Sequence, residues 1–195
     1  MFDSYHPQIS LKRFKSYDWF DFYRDAKEAV PGNMPESRGL PMSSLSFVDT
    51  NLADDKSNMR GQTGVTIFCN NAPIHWYGKR QPSVEATTFG AEFRAVKTAV
   101  KLAEVLWYKL RMFGVPIDRQ TSVFCDNEAV YRSTVLLEST LNKKYYSVAY
   151  YRCRESVTAQ TIRVAKKGIL KNLVDLFTKI MSTTRRNFLI GKFTY

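Results

Sequence analysis

The sequence predicts an α/β domain in which helices cover a mixed sheet, and three observations predict it. Val123-Phe124-Cys125 is a short apolar run, too brief for a helix, that ends in Asp126-Asn127 before a helical pattern runs from Glu128 to Leu137. Leu45-Ser46-Phe47-Val48-Asp49 repeats the arrangement of strand formers closed by a carboxylate. Between them, from Thr87 or Thr88 to about Phe113, the apolar period becomes that of a helix. A strand that ends in a carboxylate puts that group at the edge of a sheet, where open α/β folds bind ligands.

Composition bounds the function. A chain of 195 residues is enough for one full domain with some excess. Hydrophobic residues at 44% and aromatics at 14% exclude a disordered chain. The formal charge of +11 favours a polyanionic partner, with nucleic acid first and an anionic membrane surface second. Cys69, Cys125 and Cys153 form no Cys-x-x-Cys pair, so neither a disulfide framework nor a zinc ribbon is indicated, and buried thiols in an intracellular protein are expected. His6 and His75 sit in no ligand-like pattern. No apolar run approaches a membrane span and no secretory leader profile stands at the start.

In chain order, Lys12, Arg13 and Lys15 form a basic patch ahead of an aromatic segment, Tyr17 to Tyr23, whose rings are expected to dock on a core. A short helix is predicted near 18–29, before Pro31, Gly32, Pro35, Gly39 and Pro41 break regular structure. The strand ending at Asp49 follows, then a charged loop over 50–60. Two further strands, Gly64 to Cys69 and Pro73 to Tyr77, flank an Asn70-Asn71 pair suited to a tight hairpin. The long helix takes Thr88 as its expected N-cap and carries an apolar stripe of Ala91, Ala95, Ala99, Leu102, Leu106 and Leu110. Arg94, Lys97 and Lys101 fall on another face, which reads equally as solvated or as a nucleic-acid contact. After the helix that follows Asp126 come a loop over 139–144, a helix over 145–157, a strand over 161–165, a basic loop over 166–172, and a last helix from Leu173 to Met181 with Asp175 in its first turn.

With the elements in that order, the motifs resemble the C-terminal ribonuclease H region of copia-type retrotransposon polyproteins. Phe47-Val48-Asp49 with Ala53 resembles that family's first-strand motif, and Ala72-Pro73-Ile74-His75-Trp76 with Lys79-Arg80-Gln81 its third strand and following turn. Ala91-Glu92-Phe93 matches its acidic helix motif, Cys125-Asp126-Asn127 its strand-end motif, and Asn172 to Lys179 its closing Asn-x-x-Asp-x-x-Thr-Lys. The resemblance implies a ribonuclease H-like fold with a mixed five-stranded sheet, its first three strands antiparallel. It divides the chain into a connecting segment and linker at 1–42, the domain at 43–181 and a basic C-terminal tail at 182–195. One departure stands out: the family often carries histidines near Lys143-Lys144 and Tyr150-Tyr151, where this chain has Tyr145 and Tyr151.

By the same resemblance, Asp49, Glu92, Asp126 and Asp175 are the expected catalytic and metal-binding residues, holding two Mg²⁺ ions for which Mn²⁺ can substitute. A set of carboxylates without Cys or His suits a hard ion of this kind. The implied activity is endonucleolytic cleavage of the RNA strand of RNA–DNA hybrids during reverse transcription. Gln81, Asn127 and Asn142 are candidates for polar contacts to nucleic acid, and Lys79, Arg80, Lys143, Lys144, Lys166 and Lys167 for phosphates. A reverse transcriptase domain, joined or associated, is the implied partner, without a membrane. The implied location is intracellular, in the cytoplasm within the element's virus-like particle or in the nucleus. The rivals are an inactive nucleic-acid-binding remnant, a polymerase-supporting domain without its own activity, and an integrase or transposase core of the same fold.

Overall fold

The computed structural model describes residues 25–28, 30, 32–52, 59–136, 139, 141, 144–166 and 172–193. Five strands, β1 (Ser44–Asn51), β2 (Gln62–Cys69), β3 (Ala72–Arg80), β4 (Thr121–Cys125) and β5 (Ile162–Lys166), form one sheet in the order β3-β2-β1-β4-β5. β1, β2 and β3 are antiparallel, whereas β4 and β5 run parallel to β1. The turn between β2 and β3 is the expected hairpin: Asn70 and Asn71 both take positive φ, at 44° and 73°, as asparagine tolerates.

Five helices complete the described part: α1 (Thr88–Met112), α2 (Glu128–Val135), α3 (Ser147–Thr158), α4 (Asp175–Thr178) and α5 (Thr183–Ile190), with a 3-10 turn at Lys144–Tyr146 leading into α3. α1 is capped one residue earlier than the sequence suggests: the Thr87 hydroxyl accepts the Gly90 N–H at 3.2 Å. Ala91, Ala95 and Ala99 are fully buried, joined by Val96, Val100, Ala103 and Trp107. Leu102 and Leu106 only flank this core, because small residues let the helix lie close on the sheet.

Alternation along β1 divides the interior in two. Val48 faces α1, α2 and α3 with Val65, Ile67, Phe93, Val123 and Val164. Phe47 faces the other way, toward α4 and α5, stacking on Phe124 at 5.3 Å and meeting Phe68 edge-on.

Three expectations toward the chain's ends change. Residues 18–24 and 29 of the helix expected near 18–29 lie outside the described residues, and 25–28 are not helical. Glu28 there holds Arg111 of α1 through two contacts of 2.6 Å. The stretch expected as a basic tail, 182–195, contains α5: Ser182 caps it by accepting the Arg185 N–H, and Leu189 is buried against the second core. The predicted last helix over 173–181 is shorter, a single turn at α4.

Candidate active site

Asp49 and Asp126 are brought together by register. Phe47 lies opposite Phe124 in the parallel β1–β4 pair, so the two aspartates follow two residues later on neighbouring strands, roughly 5 Å apart in the pairing direction. Glu92 reaches the same edge from the second turn of α1. Ligand atoms of Asp49, Glu92 and Asp126 all lie within 4.8 Å of one another. Asp49 and Glu92 are buried and Asp126 is half-buried.

The fourth acid is placed differently. Asp175 is also buried, yet it stands outside that three-carboxylate cluster and is held by two cations, Lys179 Nζ at 2.9 Å and Arg185 Nη2 at 2.6 Å. Lys179 Nζ also approaches Asp49 Oδ1 at 3.2 Å, so one ammonium bridges Asp49 and Asp175.

The closing motif explains how α4 is locked over the site. Asn172 donates to the Val48 carbonyl at 3.0 Å, next to Asp49, and its Oδ1 accepts the Val174 N–H. From above, Asn51 donates to the Thr178 carbonyl at 2.8 Å and Gln62 to the Phe177 carbonyl at 2.6 Å. The Thr178 hydroxyl donates to Asp49 Oδ2. Gly64, paired with Asp49 in the β1–β2 register, makes room for this packing: a Cβ there would strike Val174 Cγ1 and come within 2.7 Å of Thr178 Cγ2.

Electrostatics set the chemistry. Burial, then the charges of Asp49 and Asp126, push Glu92 up to about 9. Burial raises Asp49 above its ordinary value, although the Thr178 hydroxyl and Lys179 pull it down. Burial likewise raises Asp126 against the pull of Lys179. Burial lowers Lys179, but its contacts with Asp175 and Asp49 outweigh this and hold its ammonium above a free lysine. Glu92 Oε2 is buried with no hydrogen-bond partner among the described residues. An unpartnered carboxylate oxygen between two more carboxylates is costly unless a cation binds, and an all-oxygen donor set fits a hard divalent ion.

The other sequence candidates scatter. Gln81 is buried, its Nε2 lying 3.0 Å from Thr63 Oγ1, 3.0 Å from the Ala91 carbonyl and 3.2 Å from Thr50 Oγ1, so it ties α1 to the sheet. Asn127 caps α2, its Oδ1 accepting the N–H groups of Ala129 and Val130. Lys166 ends β5 and pairs with Glu128 at 2.8 Å, which together with Arg132 holds the Glu128 carboxyl down at about 2. Lys79 and Arg80 are exposed at the end of β3, and Lys144 is exposed in the 3-10 turn. Asn142, Lys143 and Lys167 lie outside the described residues, as does Ala53 of the first-strand motif. Tyr145 and Tyr151, where histidines were expected, are exposed.

Sequence reasoning placed Thr178 and Lys179 in the closing motif without giving either a role, and assigned nothing to Arg185. The signal for Lys179 was available, since a lysine four residues after an acid on a helix lies beside it. Arg185 carried no such signal, because its approach to Asp175 depends on how α5 docks.

The domain built on this sheet aligns with solved structures of known type. LC11-RNase H1, in a complex with an RNA/DNA hybrid, aligns over 70% of this chain and 94% of its own with a TM-score of 0.55 at 14% identity. RNase H1 from Halobacterium salinarum aligns over 70% and 94% with a TM-score of 0.54 at 16% identity. The fold is that of ribonuclease H.

No protein-family model matches the sequence. Relatives in sequence are retrovirus-related Pol polyproteins of plant transposons. RE1 of Arabidopsis thaliana is 25% identical over 150 residues, covering 75% of this chain, and TNT 1-94 of Nicotiana tabacum is 26% identical over 137 residues, covering 69%. The chain spans about a tenth of the length of these relatives. The ribonuclease H fold therefore coincides with similarity to transposon Pol polyproteins. Among the described residues, no helix is long and apolar enough to cross a membrane.

Proposed function

We propose that residues 43–181 act as the ribonuclease H domain of a retrotransposon polyprotein and hydrolyse the RNA strand of RNA–DNA hybrids. The observation that carries the reading is the convergence of Asp49, Glu92 and Asp126 within 4.8 Å at the sheet edge, with Glu92 Oε2 unpartnered. These three residues would hold divalent metal, Mg²⁺ in this proposal, and Asp175 would join when a second ion is held. Bound metal activates water and neutralises charge on the phosphoryl oxygens. The chain's own part is to fix the carboxylates: Thr178 orients Asp49, the Thr50 N–H supports Glu92, and Asn172 anchors α4 beside β1. Lys79, Arg80 and Lys144 are proposed phosphate contacts. An associated reverse transcriptase domain is the proposed partner, in an intracellular setting.

A second reading is a hybrid-binding domain that does not cleave, and Asp175 favours it, since Lys179 and Arg185 together satisfy its carboxylate. Cleavage of a labelled RNA–DNA hybrid with Mg²⁺ decides between them, with Asp49→Asn and Asp126→Asn as controls. RNA-strand cleavage abolished by both substitutions supports the nuclease. Salt-dependent hybrid binding without cleavage supports the second reading.

A further inference from the structure

Two cavities meet at the end of the domain opposite the carboxylates, where α1 and α3 finish and β4 and β5 begin. One, of about 700 Å³, lies between Trp107 and Tyr108 of α1, the end of α3 and the stretch 25–28. The other, of about 570 Å³, continues past Glu28 and Arg111 to Arg163 of β5. Glu28, Trp107 and Arg111 line both.

Charge in the smaller cavity does not balance. Its acids are engaged, Glu28 by Arg111 through two contacts of 2.6 Å and Asp118 by Arg119 at 2.7 Å. Arg163 has no such partner. It is buried, with 6% of its surface exposed, and its Nε donates to Ser122 Oγ at 2.9 Å. No carboxylate of the described residues pairs with it. Burial first, then the charge of Arg119, lowers its pKa. A buried guanidinium without an acid is costly. With Nε committed to Ser122, its two Nη groups are left as the planar fork that takes a carboxylate through two hydrogen bonds.

We propose that Arg163 receives Asp18 or Asp21 of this same chain, so that the aromatic segment Tyr17 to Tyr23 docks in the paired cavities. Residues 17–23 lie outside the described residues. Their attachment point and their composition both fit. Asp25 lines the larger cavity, and Asp21 lies four residues before it and Asp18 seven, extended spans of up to about 14 and 25 Å. Either acid can therefore cross from the first cavity into the second. In Tyr17-Asp18-Trp19-Phe20-Asp21-Phe22-Tyr23 the acids are interleaved with rings, which suits an aromatic wall at Trp107 and Tyr108 with a cation beyond it. Glu28 sets the precedent, since the same stretch of chain already places one carboxylate on the fork of Arg111. The docking is independent of cleavage.

The test is chemical unfolding and limited trypsin digestion of the full chain in EDTA, with Asp18→Asn/Asp21→Asn, Arg163→Lys and the combination of both. Lysine keeps the charge at 163 but loses the fork. Each change alone should lower the folding equilibrium constant, and the combined loss should fall about tenfold short of the product of the two. Trypsin should cut after Arg24 and Lys27 faster in every variant than in wild type. Purely multiplicative losses overturn the proposal, and so does an aspartate variant that folds and digests like wild type. Should Arg163→Lys fail to fold, inorganic phosphate decides between wild type and the aspartate variant. With the fork vacated, phosphate should raise the unfolding midpoint of the aspartate variant more than that of wild type. An equal rise in both, or none in either, means that neither aspartate occupies Arg163 and overturns the proposal.

Discussion

The ammonium of Lys179 stands 3.2 Å from Oδ1 of Asp49, at the margin of a three-carboxylate cluster, and the same ammonium reaches Asp175 at 2.9 Å. The protein thus carries a cation of its own where its acids are most crowded. Lys179→Met should remove it while keeping the packing of the stem. In metal-free protein, Asp49 would keep only Thr178 and Asp175 only Arg185 among these contacts, at a cost of about 1–3 kcal/mol. On the proposed reading Mg²⁺ binds the native cluster and not the unfolded chain, and it should then raise the melting temperature of the variant more than that of wild type. Thermal unfolding with and without Mg²⁺ checks this, and equal shifts in the two proteins would count against a shared electrostatic site.

The raised carboxyls predict how metal-free stability follows pH. Glu92 titrates at about 9 in the folded protein against 4.5 for the free group, and Asp49 and Asp126 shift in the same direction. Between those values the folded state binds more protons than the unfolded one, so stability falls as pH rises. The contribution is complete below the unfolded value and is lost as pH climbs through the folded one. Denaturant unfolding in EDTA should therefore show declining stability from about pH 5 to about pH 9, and Glu92→Gln should flatten the curve. Saturating Mg²⁺ should flatten it too, because the ion replaces the proton.

The residues that were legible in the sequence are those whose role follows from local pattern. Asp49 and Asp126 each close a run of strand formers, and a strand end at a sheet edge is readable from a handful of residues. The hairpin at Asn70-Asn71 was readable for the same reason, since positive φ is a property of the residues themselves. What escaped depends on distant partners. Gln81 follows two surface cations and reads as a surface residue, and only the meeting of Thr50, Thr63 and Ala91 makes it interior. The helix α5 hides in a basic stretch because it buries little beyond Leu189, so its sequence lacks the wide apolar stripe of α1.

Gln81 offers a direct separation of the two readings of that residue. Gln81→Met keeps the volume but removes the donor that serves two hydroxyls and the Ala91 carbonyl. A structural tie should cost about 1–3 kcal/mol and leave hybrid affinity near wild type once folding is accounted for. A nucleic-acid contact would do the opposite, weakening binding with stability unchanged. Chemical denaturation beside anisotropy on the same preparations distinguishes them.

Gly64 tests whether α4 positions Asp49. It needs no unusual backbone angle, and its constraint is space: an added Cβ meets Val174 Cγ1 and Thr178 Cγ2. Gly64→Ala should therefore cost about 1–3 kcal/mol by overpacking. It should also push the Thr178 hydroxyl away from Asp49 Oδ2, lowering cleavage and Mg²⁺ affinity more than the loss of folded protein explains. Combining Gly64→Ala with Val174→Ala and Thr178→Ser removes both obstructing methyl groups and keeps the hydroxyl. That triple variant should recover Mg²⁺ affinity, measured by calorimetry, even though its core is less well filled. A triple variant that regains stability but not metal affinity would show that Thr178 does not orient Asp49.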